Sequence, residues 1–153
     1  MRPYSRVYAT VNLDAVASNM RSMRDNLPAS TLIMGSVKAD GYGHGSVPVA
    51  KTIDPYVFGY AVATIDEGII LRRHGINKTI LILGVTHESR YEDLLRYDIR
   101  TAMFQYEKAK KLSDLALKQG KKAVVHLALD TGMSRIGMKA DREHAKEAAA
   151  IAA

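Results

Sequence analysis

The sequence predicts an α/β fold built on a parallel sheet. Three observations carry that reading. From about residue 30 onward, apolar runs of strand length alternate without a break with segments of helical period, the signature of βαβ units. Gly, Pro, Asn and Asp punctuate these runs. The connections are short, and no low-complexity stretch divides the 153 residues, an ordinary length for one domain.

Residues 7–12 alternate and are rich in β-branched and aromatic side chains, predicting a first strand. Asn12 then offers an N-cap. Leu13, Val16, Met20 and Met23 recur at helical spacing, predicting a helix to about Asn26 that Pro28 closes. Residues 31–35 form a continuous apolar run, read as a strand buried on both faces. After a glycine-rich loop, a helix spans 45–52 and a strand 56–62. Thr64 caps the next helix, Glu67 completes a capping box, and Gly75 ends it. A strand over 79–84, a short helix over 88–96, a strand over 99–104 and a helix over 105–118 follow. The last strand is predicted over 123–129, the loop over 130–137, and helix again from Asp141.

The glycine-rich loop holds the most informative stretch, Val37-Lys38-Ala39-Asp40-Gly41-Tyr42-Gly43-His44-Gly45. Lys38 stands at the carboxyl end of a predicted core strand, where α/β folds gather their chemistry. Burial there disfavours a charged amine. A neutral amine is a nucleophile that forms imines with carbonyl compounds, of which pyridoxal phosphate is the commonest cofactor. The plain alternative is a lysine that extends its ammonium to solvent.

These nine residues closely resemble the pyridoxal phosphate attachment motif of the alanine racemase family. Residues 11–19 also resemble the family's opening, and His126-Leu127-Ala128-Leu129-Asp130-Thr131-Gly132-Met133-Ser134-Arg135-Ile136-Gly137 its second signature. The resemblance implies that Lys38 binds pyridoxal 5'-phosphate covalently and serves as one catalytic base. It implies that Tyr42 bonds the cofactor phosphate and that Leu83 packs near the cofactor ring. It assigns Arg135 to the cofactor's phenolic oxygen and the substrate carboxylate, a task suited to a planar guanidinium. The implied reaction is interconversion of L- and D-alanine, supplying D-alanine for peptidoglycan.

The resemblance also implies the architecture: the N-terminal part of a (β/α)8 TIM-type barrel. Residues 1–12 would join a C-terminal β domain, and residues 13–153 would form a truncated barrel. The alternation alone supplies about five parallel strands, which a doubly wound sheet could also use. A closed barrel takes roughly 250 residues, and the alanine-rich stretch to Ala153 stops in a helical pattern without a cap. The chain is therefore expected to be a fragment, inactive alone and stable only beside the remainder or a second copy. Family members work as homodimers, and the second base is a tyrosine of the C-terminal part. One departure stands out: many members carry a lysine at the position of Ala128, where it helps orient the arginine.

Composition narrows the alternatives. The chain is 47% apolar and 25% charged, with net charge +6 and no cysteine, which excludes disulfides and thiol catalysis and suits a cytoplasmic protein. Clusters such as Arg72-Arg73 and Lys108-Ala109-Lys110-Lys111 read as solvated helix faces, so neither nucleic acid nor membrane is an expected partner. The histidines lack metal-ligand spacing, and no metal is expected. His44 reads as a packing or capping residue and His126 as a core or interface residue. Competing functional readings are a racemase for serine or a basic amino acid, a membrane-linked racemase domain, a non-enzymatic pyridoxal phosphate-binding barrel, and a doubly wound domain with a structural lysine.

Overall fold

Five strands pair in parallel in the order β1-β2-β3-β4-β5, which is also their order along the chain. They are β1 (Met34–Ser36), β2 (Gly59–Val62), β3 (Thr79–Ile82), β4 (Arg100–Met103) and β5 (Val125–Leu127). The computed structural model describes residues 7–153. Helices α1 (Leu13–Asp25), α3 (Ser46–Ile53), α4 (Ile65–Arg73), α5 (Tyr91–Tyr97), α6 (Tyr106–Lys118) and α7 (Arg142–Ala152) alternate with the strands, and α2 (Lys38–Tyr42) is a short, largely left-handed turn. A doubly wound sheet reverses its strand order partway across. Here the order never reverses, which is the winding of a barrel wall. The wall is open, since β1 and β5 do not pair with each other.

Register explains which face is buried. Tyr60 pairs with Ile80 and Val62 with Ile82, and Ile82 pairs with Thr101. These residues and Met103 are at most 3% exposed and belong to the layer beneath the helices, where each large apolar side chain contributes about 2 kcal/mol of burial. Leu71, Leu94, Leu112 and Ala116 close that layer from the helices. The opposite face carries Ser36, Ala61, Leu81, Ala102 and His126. In a closed barrel this face is the interior; here Leu81, Ala102 and His126 remain partly exposed.

Local chemistry sets the ends of the elements. Asn12 Oδ1 accepts the Ala15 N–H at 3.0 Å and caps α1, and Thr64 Oγ1 accepts the Glu67 N–H at 3.4 Å to cap α4. His74 is the C-cap of α4, with Nδ1 2.8 Å from the Ile70 carbonyl. Four predicted elements differ, one being the first buried strand, which covers Met34–Ser36 rather than 31–35. Residues 7–12 form no strand, because no strand among the described residues lies beside them; residues 1–6 of the predicted 1–12 segment lie outside the described residues. Strand β2 starts at Gly59, since Pro55 lies in a 3-10 turn over Asp54–Tyr56. The last predicted strand ends at Leu127, and Leu129–Asp130 (β6) pairs instead with Met138–Lys139 (β7).

Arg72 overturns the reading of a solvated cation. Its guanidinium donates to the carbonyls of Tyr97, Ile76, Lys78 and Asp98 at 2.7–2.9 Å, and burial lowers its pKa. Lys78 Nζ donates to the carbonyls of Asp54 and Val57. These carbonyls precede β2, β3 and β4, so both cations fasten the amino edge of the sheet.

Candidate functional site

Lys38 leaves the carboxyl end of β1 one residue after Val37, which is 1% exposed and donates its N–H to the Ala61 carbonyl at 3.0 Å. The chain then turns left-handed: φ is 50° at Ala39, 52° at Asp40, 63° at Gly41 and 55° at Tyr42. Non-glycine residues in this region carry strain of about 1–2 kcal/mol each. Glycine is needed at 41, because a Cβ there would stand 3.3 Å from Ser46 N at a positive φ.

Polar side chains hold the turn. Asp40 Oδ1 accepts the Ser46 N–H at 2.8 Å, at the start of α3. His44 does not cap α3, whose N-cap is Gly45 without a side-chain bond; its Nδ1 lies 3.0 Å from the Gly41 carbonyl and 3.2 Å from that of Tyr42, inside the lysine turn. Glu67 Oε1 accepts the Ala39 N–H at 3.0 Å. The Tyr42 hydroxyl lies 3.3 Å from Ser36 Oγ, and the Lys38 ammonium stands 5.8 Å from the centre of the Tyr42 ring. Tyr42 is 60% exposed, so its hydroxyl is open to a ligand.

The second cluster surrounds the 130–137 loop. Leu83 extends β3 by donating its N–H to the Val62 carbonyl at 2.9 Å. It lines one cleft with His126, Ala128, Asp130, Met133 and Arg135. Asp130 Oδ1 accepts the N–H groups of Gly132 and Ser134, each at 2.9 Å. These bonds hold its carboxyl below the usual carboxylate range. Gly137 lets β7 approach β6: at φ 111°, a Cβ would sit 2.8 Å from Asp130 N. His126 sits on the inner sheet face, where burial and then the Arg100 charge hold its imidazole below its ordinary value.

Lys38 and Tyr42 thus meet in one cluster, and Leu83 and Arg135 in another. Both clusters lie beyond the carboxyl ends of parallel strands, on one rim of the sheet, although Lys38 and Tyr42 are not walls of the Arg135 cleft. Neither the Lys38 ammonium nor the Arg135 guanidinium has a carboxylate within ion-pair range among the described residues. An amine, a phenol and a guanidinium with no protein anion to satisfy them fit a phosphorylated aldehyde such as pyridoxal phosphate. Sequence reasoning gave Glu67 only a capping role and assigned none to Ser36 or Asp40. Nothing in their local spacing shows that they converge on the lysine turn.

Comparison with known proteins agrees with this architecture. The family described as "Alanine racemase, N-terminal domain" matches residues 11–153. The alanine racemase of Clostridium perfringens (strain ATCC 13124) is 44% identical over 138 residues, covering 90% of this chain and 36% of that protein. The alanine racemase of Desulforamulus reducens is 38% identical over 148 residues, covering 96% and 40% respectively. Among solved structures, the alanine racemase of Clostridium difficile 630 superposes with a TM-score of 0.84 at 38% identity, over 92% of this chain and 36% of that one. A histidine racemase from Leuconostoc mesenteroides superposes with a TM-score of 0.80 at 28% identity, over 92% and 37%. The chain spans well under half the length of these relatives.

Proposed function

Since this chain belongs to the alanine racemase family, matching its N-terminal domain, we propose that it is the lysine-bearing part of a pyridoxal phosphate-dependent racemase acting on alanine. The observation that carries this reading is the placement of Lys38 at a strand tip, facing Tyr42, with Arg135 on the same rim. When bound, pyridoxal phosphate supplies the electron sink for charge left at the amino acid's Cα. Lys38 Nζ would hold the cofactor and would take or return the Cα proton on one face. Tyr42 donates its O–H to the phosphate. Leu83 offers an apolar surface to the ring. Arg135 pairs with an oxyanion of cofactor or substrate.

Racemisation needs a base on each face of Cα. The second belongs to the C-terminal part of the family, in a partner subunit of a cytoplasmic homodimer, so turnover needs both parts. Alanine is favoured because the relatives at 36–44% identity are named alanine racemases. A second reading, a different amino acid, is supported by the histidine racemase neighbour and by Ala128 beside Arg135 in the cleft.

The test uses the full-length protein. It is incubated with pyridoxal phosphate, reduced with borohydride and mapped by peptide mass spectrometry, and assayed on L-alanine, L-serine and L-histidine. The reading expects the adduct on Lys38, its loss in Lys38→Ala, and D-alanine as the main product. An adduct on another lysine sinks the lysine assignment, and faster turnover of histidine or serine selects the second reading.

A further inference from the structure

Glu67 stands outside the residues assigned to the cofactor, yet its carboxylate joins α4 to the lysine turn. Oε1 accepts the Ala39 N–H at 3.0 Å and Oε2 accepts the Ala63 N–H at 2.7 Å. A full capping box would have placed this carboxylate on the Thr64 N–H. Only the hydroxyl half forms, from the Glu67 N–H to Thr64 Oγ1. Among the described residues Glu67 has no cation in ion-pair range. Its two oxygens serve the backbone of two separate loops, one leaving β1 and one leaving β2.

Ala39 directly follows Lys38 and is the first left-handed residue of the turn. Holding the Ala39 N–H fixes the plane of the 38–39 peptide. The peptide before Lys38 is fixed from the other side, by the bond that the Val37 carbonyl accepts from the Gly41 N–H at 2.8 Å. With the peptides on both sides of Lys38 held, one within the turn and one by α4, the direction in which the Lys38 side chain leaves the strand is set by the backbone. We propose that Glu67 is a positioning residue for Lys38, aiming its amine by tying the 38–39 peptide to the loop between β2 and α4. This rests on the role proposed above for Lys38. A carboxylate is required because each N–H needs its own acceptor oxygen. Glutamine offers one acceptor and turns an NH2 group toward the other N–H.

The experiment separates aiming from general support of α4. Full-length wild type, Glu67→Gln, Thr64→Ala and Lys38→Ala are incubated with pyridoxal phosphate and reduced with borohydride at timed intervals. The Lys38 peptide adduct is quantified, and the thermal midpoint of each protein is recorded. Thr64→Ala removes the cap of the same helix without touching Ala39. Labelling of Lys38 is expected to slow about tenfold in Glu67→Gln and to stay within about twofold of wild type in Thr64→Ala, even where the two melt alike. Wild-type labelling in Glu67→Gln, or equal slowing in Thr64→Ala, overturns the proposal while leaving the Lys38 assignment intact. Undiminished labelling at another lysine in Lys38→Ala overturns the assignment itself. Should Glu67→Gln fail to fold, Glu67→Asp, one methylene shorter, is held to the same outcomes.

Discussion

The Lys38 ammonium lies 5.8 Å from the centre of the Tyr42 ring, and the hydroxyl of that ring reaches back to Ser36 Oγ at 3.3 Å. One side chain therefore spans the amine and the strand end it springs from. Tyr42→Phe keeps the ring beside the amine and removes only the O–H. We expect affinity for pyridoxal phosphate to fall about tenfold, as for a lost bond to a charged group, with the adduct still on Lys38. An absorbance titration of the full-length variant measures this. Unchanged affinity would show that the hydroxyl does not hold the phosphate.

Asp130 organises the loop that carries Arg135 through two N–H bonds. Asp130→Ala should speed hydrogen exchange at Gly132 and Ser134 severalfold, whereas Asp130→Asn, which retains one acceptor, should do so less. Because the carboxyl is depressed in the folded chain, its contribution is complete above the ordinary carboxylate value of about 4 and fades as pH falls through the lower folded value. Loop exchange should therefore be flat from neutral pH down to about 4 and rise in stronger acid, once intrinsic exchange rates are divided out. A rise centred near neutrality would contradict the assignment.

Arg72 donates to four carbonyls at once. Arg72→Ala should cost about 3 kcal/mol in urea unfolding, since a charged donor is lost and its acceptors are left in a half-buried site. Arg72→Lys should recover little, because one ammonium cannot reproduce the fork. A loss below about 0.5 kcal/mol would make this cluster incidental.

His126 is held below its ordinary value by burial and by Arg100. The unfolded chain therefore binds its proton first on acidification, and this residue lowers stability as pH falls from about 6.5. His126→Gln should flatten the melting profile between about pH 5 and 7. An unchanged slope would place the titration elsewhere.

The succession of strands and helices was legible in the sequence because each strand is an apolar run closed by a turn signal. Residues 79–84 and 99–104 show it, and so does the cap pair Asn12 and Thr64. The barrel sense of the winding was not, since spatial order depends on where each helix returns the chain and no local pattern encodes that. Lys38, Tyr42, Leu83 and Arg135 were nameable from motif resemblance, and their grouping into two clusters came only with the fold. Glycines 41, 43 and 45 announced a positive-φ turn, but Ala39, Asp40 and Tyr42 share it. Their own propensities oppose that conformation, and acceptors as distant in sequence as Glu67 sustain it. Residues 7–12 show the converse failure: a sound strand pattern stays unpaired without a neighbour.

Because Arg72 and Lys78 bind beneath the opposite rim from Lys38, the groups that fasten the sheet and those that face its carboxyl rim are separate residues. Substitutions at Leu83, Met133 and Arg135, which line the cleft of the carboxyl rim, therefore leave the foundation of the wall untouched. Change at that rim does not first have to relax what keeps the wall upright.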